Sequence, residues 1–173
     1  MCIRDRVYTQ NLTGTKVIND NIMFNGYSYG IHAYTQAGNL IGFETNGNIA
    51  FNSGYNSYHN HFRGNLQYGG YTPANRLEVR DNYTYHTPSW PGRNVEFGFS
   101  SSNDTMVFTD NYVVGGAQVM RIKEWEHVTF KNNTMYGIDA LVGMSLKSGY
   151  NSNDYDWDNN SWFGGKGNGK FMN

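Results

Sequence analysis

Asp110-Asn111-Tyr112-Val113-Val114 is one of six short stretches in which an Asp, Asn or Gly and then an asparagine lead into a three-residue strand-like segment. The others are Asp20-Asn21-Ile22-Met23-Phe24, Gly47-Asn48-Ile49-Ala50-Phe51, Asp81-Asn82-Tyr83-Thr84-Tyr85, Asn132-Asn133-Thr134-Met135-Tyr136 and Asn159-Asn160-Ser161-Trp162-Phe163. Measured between Asn21, Asn48, Asn82, Asn111, Asn133 and Asn160, the intervals are 27, 34, 29, 22 and 27 residues. The unequal connections hide the repeat from a search at fixed period.

The flanks of the marker asparagine repeat with it. Five residues before it stand Lys16, Phe43, Leu77, Met106, Val128 and Tyr155, and three before it Ile18, Thr45, Val79, Phe108, Phe130 and Trp157. One residue after it come Ile22, Ile49, Tyr83, Tyr112, Thr134 and Ser161, and three after it Phe24, Phe51, Tyr85, Val114, Tyr136 and Phe163. Of these 24 positions 20 are apolar or aromatic, so each flank reads as a strand that buries this one face. The phase breaks at the asparagine. The residue before it is always Asp, Asn or Gly, types that tolerate a left-handed backbone, so the chain bends there.

Six like bends between short strands predict a stack of coils about 4.8 Å apart, rising roughly 29 Å in total. In such a stack each marker asparagine sits over the next. A carboxamide both donates and accepts, so a column of them satisfies its own buried polar groups. The leucine spacing of a leucine-rich repeat is absent. The expected fold is all-β, a right-handed parallel β-helix of about six coils.

Composition agrees with a packed chain. The 173 residues include 21 Gly, 14 Tyr and 10 Phe but only 3 Pro, which gives ample surface to bury and argues against disorder. A net charge of −1 offers no reason to expect nucleic acid as a partner. No run approaches the roughly 18 apolar residues of a membrane span. Met1-Cys2-Ile3-Arg4-Asp5-Arg6 looks like the translation of a sequencing adapter, which leaves residues 7–173 as a single β-helix domain. The lone cysteine lies in that hexapeptide, so no disulfide is expected. Coils, and any signal peptide, are expected to be missing beyond both ends.

With these repeats the sequence resembles the right-handed parallel β-helix proteins of the pectate-lyase-like superfamily. Val7-Tyr8-Thr9-Gln10-Asn11, Tyr29-Gly30-Ile31-His32-Ala33-Tyr34 and Gly47-Asn48-Ile49-Ala50-Phe51-Asn52 look like bacterial members described chiefly by their repeats. The resemblance implies an extracellular or cell-surface protein and an acidic or plant-type glycan. It supplies no mechanism, since the superfamily holds lyases, hydrolases, esterases, tailspikes and adhesins.

A further strand follows each bend. With Ile31, Leu66, Val95, Ile122 and Leu146 pointing inward, His32, Gln67, Glu96, Arg121, Lys123, Ser145 and Lys147 point outward along one sheet, a stripe suited to an anionic sugar chain. Cleavage of uronates by β-elimination needs a base for the proton beside the carboxylate, a cation on that carboxylate and an acid for the leaving oxygen. Lys123 is the candidate base, Arg121 the neutralising cation and Glu96 a candidate calcium ligand. Met120-Arg121-Ile122-Lys123 with Asn132-Asn133-Thr134 looks like the lysine-bearing coil of calcium-assisted β-helix lyases. Arg121-Ile122-Lys123 also matches a polygalacturonase tripeptide, but the Asn-Thr-Asp, paired-Asp and Gly-His-Gly motifs of those hydrolases are absent. A solvated pair on a strand explains Arg121 and Lys123 as well.

Two long connections, residues 55–63 and 86–93, extend the candidate surface. Tyr58 and Trp90 are candidates to stack on sugar rings, and Arg63 and Arg93 to pair with carboxylates. His59 and His61 alternate as metal ligands would, though no third ligand is evident. Asp154, Asp156 and Asp158 suit either calcium or a solvated face. The expected function is binding or cleavage of an acidic polysaccharide, with lyase ahead of hydrolase; the rival is a non-catalytic structural or adhesive β-helix.

Overall fold

In a computed structural model the chain is described over residues 6–54, 63–87, 90–99, 102–137, 140–145 and 151–164. It is all-β among these residues apart from one 3-10 turn at Ser152–Asp154, and its strands form three parallel six-stranded sheets. The first sheet takes Val7–Thr9, Ile31–Ala33, Leu66–Tyr68, Arg93–Phe97, Gln118–Lys123 and Ala140–Ser145. The second takes Lys16–Asn19, Leu40–Asn46, Ala74–Arg80, Asn103–Thr109, Trp125–Lys131 and Tyr155–Asp158. The third takes Ile22–Phe24, Ile49–Phe51, Tyr83–Tyr85, Tyr112–Val114, Thr134–Gly137 and Ser161–Gly164. Each coil visits the three sheets in turn and pairs with the coil before and the coil after, which is a parallel β-helix of six coils.

All six residues before the marker asparagines are left-handed, with φ of 56° at Asp20, 66° at Gly47, 54° at Asp81, 60° at Asp110, 57° at Asn132 and 53° at Asn159. The amides run in one file. Asn21 Nδ2 donates to Asn48 Oδ1 at 2.9 Å, Asn48 to Asn82 at 3.0 Å, Asn82 to Asn111 at 3.0 Å, Asn111 to Asn133 at 3.1 Å and Asn133 to Asn160 at 2.9 Å. Each of these Oδ1 atoms also accepts the backbone N–H of the preceding marker. The remaining Nδ2 protons go to backbone carbonyls such as Ile18, Thr45, Val79 and Phe108. A column of polar groups therefore runs through the interior with its hydrogen-bonding capacity filled.

Inside, Phe108 stacks on Phe130 with centroids 5.0 Å apart, and Phe97 meets Phe108 edge-on at 5.3 Å. Tyr68, wholly buried, shares its hydroxyl proton with Thr45 Oγ1, and burial pushes its phenol well above the ordinary range.

The buried face continues differently after the bend than the sequence pattern suggests. In the four inner coils, positions three and five before the marker, the marker itself and the position two after it (Ala50, Thr84, Val113 and Met135) are interior, and Met23 is buried in the same way in the first coil. Positions one and three after it face outward. Ile22, Phe24, Tyr112, Tyr136 and Phe163 are all exposed. The left-handed residue is one extra unit in the chain, so inward positions change parity across it. The apolar character on the far side of the bend belongs to a surface.

The second sheet carries a second file of left-handed residues, at Gly42 (φ 70°), Arg76 (57°), Thr105 (58°) and His127 (49°), which bends each of its long strands. At the turn into the first sheet a shorter amide pair forms, Asn65 Nδ2 donating to Asn94 Oδ1 at 2.7 Å.

Candidate functional site

The outer face of the first sheet aligns Tyr8, His32, Gln67, Glu96, Arg121 and Gly143 in one register file across the six coils. Their chain neighbours Ile31, Ala33, Leu66, Tyr68, Val95, Phe97, Met120 and Ile122 all point into the core. This alternation directs the file to the opposite side. Lys123 lies two residues beyond Arg121 on the same strand, half-buried and on the same face.

The charged part centres on Glu96. Its Oε1 accepts from Arg121 Nη1 at 3.2 Å, and its Oε2 lies 3.6 Å from Arg93 Nη1. Arg93 Nε also donates to Gln118 Oε1 at 2.9 Å. Glu96 is thus held between two guanidinium groups while Arg121 and Arg93 keep further N–H donors. Calcium needs several oxygen donors at once, and the one carboxylate of this file already has both oxygens committed to cations. Glu96 therefore does not fit the calcium ligand expected of it.

Two of the expected binding residues are corrected by burial. Gln67 is on the outward side but only 2 % exposed, with Nε2 donating to the Gly69 carbonyl at 3.2 Å and Oε1 without a hydrogen-bond partner. Trp90 is 6 % exposed and stacks on the His86 ring at 4.8 Å and 7°, so it is a packing residue rather than a platform for sugar. Arg63 donates to the Tyr29 hydroxyl at 2.9 Å, beside the file. Lys147, and with it Tyr58, His59 and His61, lies outside the described residues.

The structure supplies the aromatic surface that Trp90 does not. Tyr8 meets the His32 ring edge-on at 5.2 Å and Tyr34 lies 5.1 Å from it, with the buried Tyr29 packed 4.5 Å from the same ring. Tyr34 contacts Tyr71 at 6.0 Å and Phe99 at 5.7 Å, and those two meet at 5.4 Å. Burial, and then the neighbouring Tyr71, push the Tyr34 phenol up to about 12. Tyr71 and Phe99 are exposed. Tyr34 and Tyr71 were not foreseen because their contacts join connections from different coils.

On the second sheet Asp104, Glu126 and His127 bring ligand-type atoms within 4.8 Å of one another. His127 Nδ1 is 2.5 Å from Asp104 Oδ1, and this hydrogen bond raises the imidazole pKa. Offsets of seven and six residues before the marker asparagine place these side chains on neighbouring coils, a signal the sequence does contain. Of the three aspartates near the end, Asp156 is ion-paired with Lys131 at 2.6 Å.

These features define the chain as a parallel β-helix with an aromatic and cationic outer face. No family model matches the chain, and no curated protein and no solved structure matches it either.

Proposed function

We propose that the outer face of the first sheet binds an acidic polysaccharide laid along the solenoid axis, in an extracellular β-helix of the pectate-lyase-like kind. The observation that carries this reading is the continuity of the ring cluster around His32 and Tyr34 with the Glu96–Arg121–Arg93 group on the neighbouring coils. Rings supply amphipathic surface for pyranose faces, and guanidinium groups pair with carboxylates.

Binding should appear as retarded migration in gels containing polygalacturonate or alginate but not neutral glucan, weakening as salt is raised. Arg121→Ala and Tyr71→Ala should each reduce the retardation. Equal migration in all the gels would remove the proposal.

A catalytic extension is supported by the shared face of Arg121 and Lys123. Arg121 would neutralise the uronate carboxylate while the Lys123 amine takes the neighbouring carbon-bound proton; the electron pair left behind forms the carbon–carbon double bond as the glycosidic carbon–oxygen bond breaks, and the leaving oxygen takes a proton from water. A hydrolase of inverting or retaining type needs two carboxyl groups across the bond, and the file offers Glu96 alone, already paired. Unsaturated sugar ends would appear as ultraviolet absorbance, and their undiminished formation by Lys123→Ala would eliminate that base.

A further inference from the structure

We propose that the outer face of the third sheet is an interface at which two copies of this chain pair, with their solenoid axes parallel. The face has twelve outward positions, those one and three residues after each marker asparagine, and not one is charged. The outward files of the second sheet differ sharply: they include Glu44, Glu78, Arg80, Lys131, Asp156 and Asp158. A soluble solenoid has no need of an uncharged apolar flank on one side only.

The area suits a protein partner. Ile22 (67 % exposed), Phe24 (49 %), Ile49 (40 %), Tyr83 (43 %), Tyr112 (51 %), Tyr136 (50 %) and Phe163 (52 %) lie on this face. At ~200 Å² for each whole side chain they expose roughly 700 Å², close to the ~800 Å² that each partner buries in a standard interface.

The form of the face selects a second copy. Phe24 stacks on Phe51 at 5.3 Å and 10°, and Tyr83 on Tyr112 at 5.9 Å and 18°. The ring faces in each file are turned to one another along the solenoid axis, so ring edges point outward. A sugar would need ring faces. An anionic membrane would meet Asp20, Asp81 and Asp110, which are exposed along one rim. An identical sheet has the same repeat and the same edge-outward rings, and two such sheets pack about 10 Å apart.

The acidic rim fixes the orientation. The opposite rim holds Asn25, Asn52, His86, Gly115 and Gly137, none of them acidic. A two-fold axis in the interface along the strands would set the aspartate rim against itself. A two-fold axis parallel to the solenoid sets it against the neutral rim and places each coil opposite the same coil of the partner.

Sedimentation equilibrium of the whole chain should show a monomer–dimer equilibrium. Ile49→Lys with Tyr112→Lys should raise the dissociation constant about a hundredfold or more. Val107→Lys, on the second sheet, should leave it unchanged. A parent chain that stays monomeric to about 100 μM, a dimer that survives the double substitution, or equal loss with Val107→Lys overturns the interface. A short bismaleimide should join the two copies of Phe24→Cys in a Cys2→Ser background, since same-coil pairing brings those positions together. This arm does not depend on the double variant folding. A dimer that cannot be cross-linked there overturns the parallel arrangement.

Discussion

Asn111 and Asn133 lie one above the other on adjacent coils, the Nδ2 of the first donating to the Oδ1 of the second at 3.1 Å while its backbone N–H donates to the same oxygen at 3.0 Å. Both side chains are buried, and each serves as acceptor for the coil before and donor to the coil after. The interior can hold amides there because no member of the file stands alone.

Removing one member from the middle should therefore be costly. Asn111→Ala strips acceptors from the backbone N–H and Nδ2 of Asn82 and a donor from the carbonyls of Val79 and Thr109. Several buried groups lose partners at about 1–3 kcal/mol each, partly relieved by water entry, so a loss of about 3–5 kcal/mol is expected. Asn21 is exposed at the end of the file, and Asn21→Ala should cost about 1 kcal/mol or less. Urea midpoints compare the two; equal losses would mean that the file does not act as a buried ladder.

The amide file and its bends were legible because both follow from residue type: an amide can pair with itself, and Asp, Asn and Gly accept left-handed backbone. The face buried after the bend was not, because Tyr83 or Ile49 is as apolar facing a partner as facing a core. Nor did Gln67 or Trp90 announce its burial, which depends on what neighbouring coils lay across it. Arg76 and Thr105 gave no sign of a left-handed backbone, since their types seldom adopt one, and a lone His127 gave little; the register beside Gly42 places all three in one file with it.

Glu96 restrains the two arginines that the proposed binding face offers. Glu96→Gln keeps the shape but removes the charge between Arg93 and Arg121, so retardation by polygalacturonate should increase severalfold, and more at low salt. Arg121→Gln should act in the opposite direction. A Glu96→Gln chain that binds more weakly than the parent would show that the carboxylate itself contacts the ligand.

His86 should make the fold acid-sensitive. Its Nε2–H donates to the Ser53 carbonyl oxygen at 2.6 Å, its Nδ1 is buried without a partner, and burial lowers its pKa to about 4. The unfolded chain, with a histidine near 6.5, takes up the proton first as pH falls. Stability is therefore complete above about 6.5 and declines towards 4, by about 3 kcal/mol from this group. His86→Gln retains a donor for Ser53 and should flatten that part of the profile. Denaturant midpoints at pH 7 and 4.5 test this, and a parent and variant that lose stability in parallel would exclude His86 as the cause.

Among the described non-glycine residues with a left-handed backbone, Thr105 is the one with a β-branched side chain. Its φ of 58° lies in the left-handed region, which costs an ordinary L-residue about 1–2 kcal/mol and a β-branched one no less. The side chain is exposed and its hydroxyl makes a long 3.3 Å hydrogen bond to Asp104, so little packing is lost by changing it. Asparagine tolerates this conformation, and Thr105→Asn should raise stability by about 1 kcal/mol, or roughly 2–4 °C in thermal midpoint. Thr105→Val keeps the branch and should give no gain. The same file shows the limit at Gly42, where an added Cβ would meet the Gly14 carbonyl oxygen at 2.1 Å, so Gly42→Ala should destabilise. The strain at Thr105 is thus attributed to its own branched side chain on a backbone that neighbouring coils dictate, and a Thr105→Asn chain melting at or below the parent temperature would contradict that attribution.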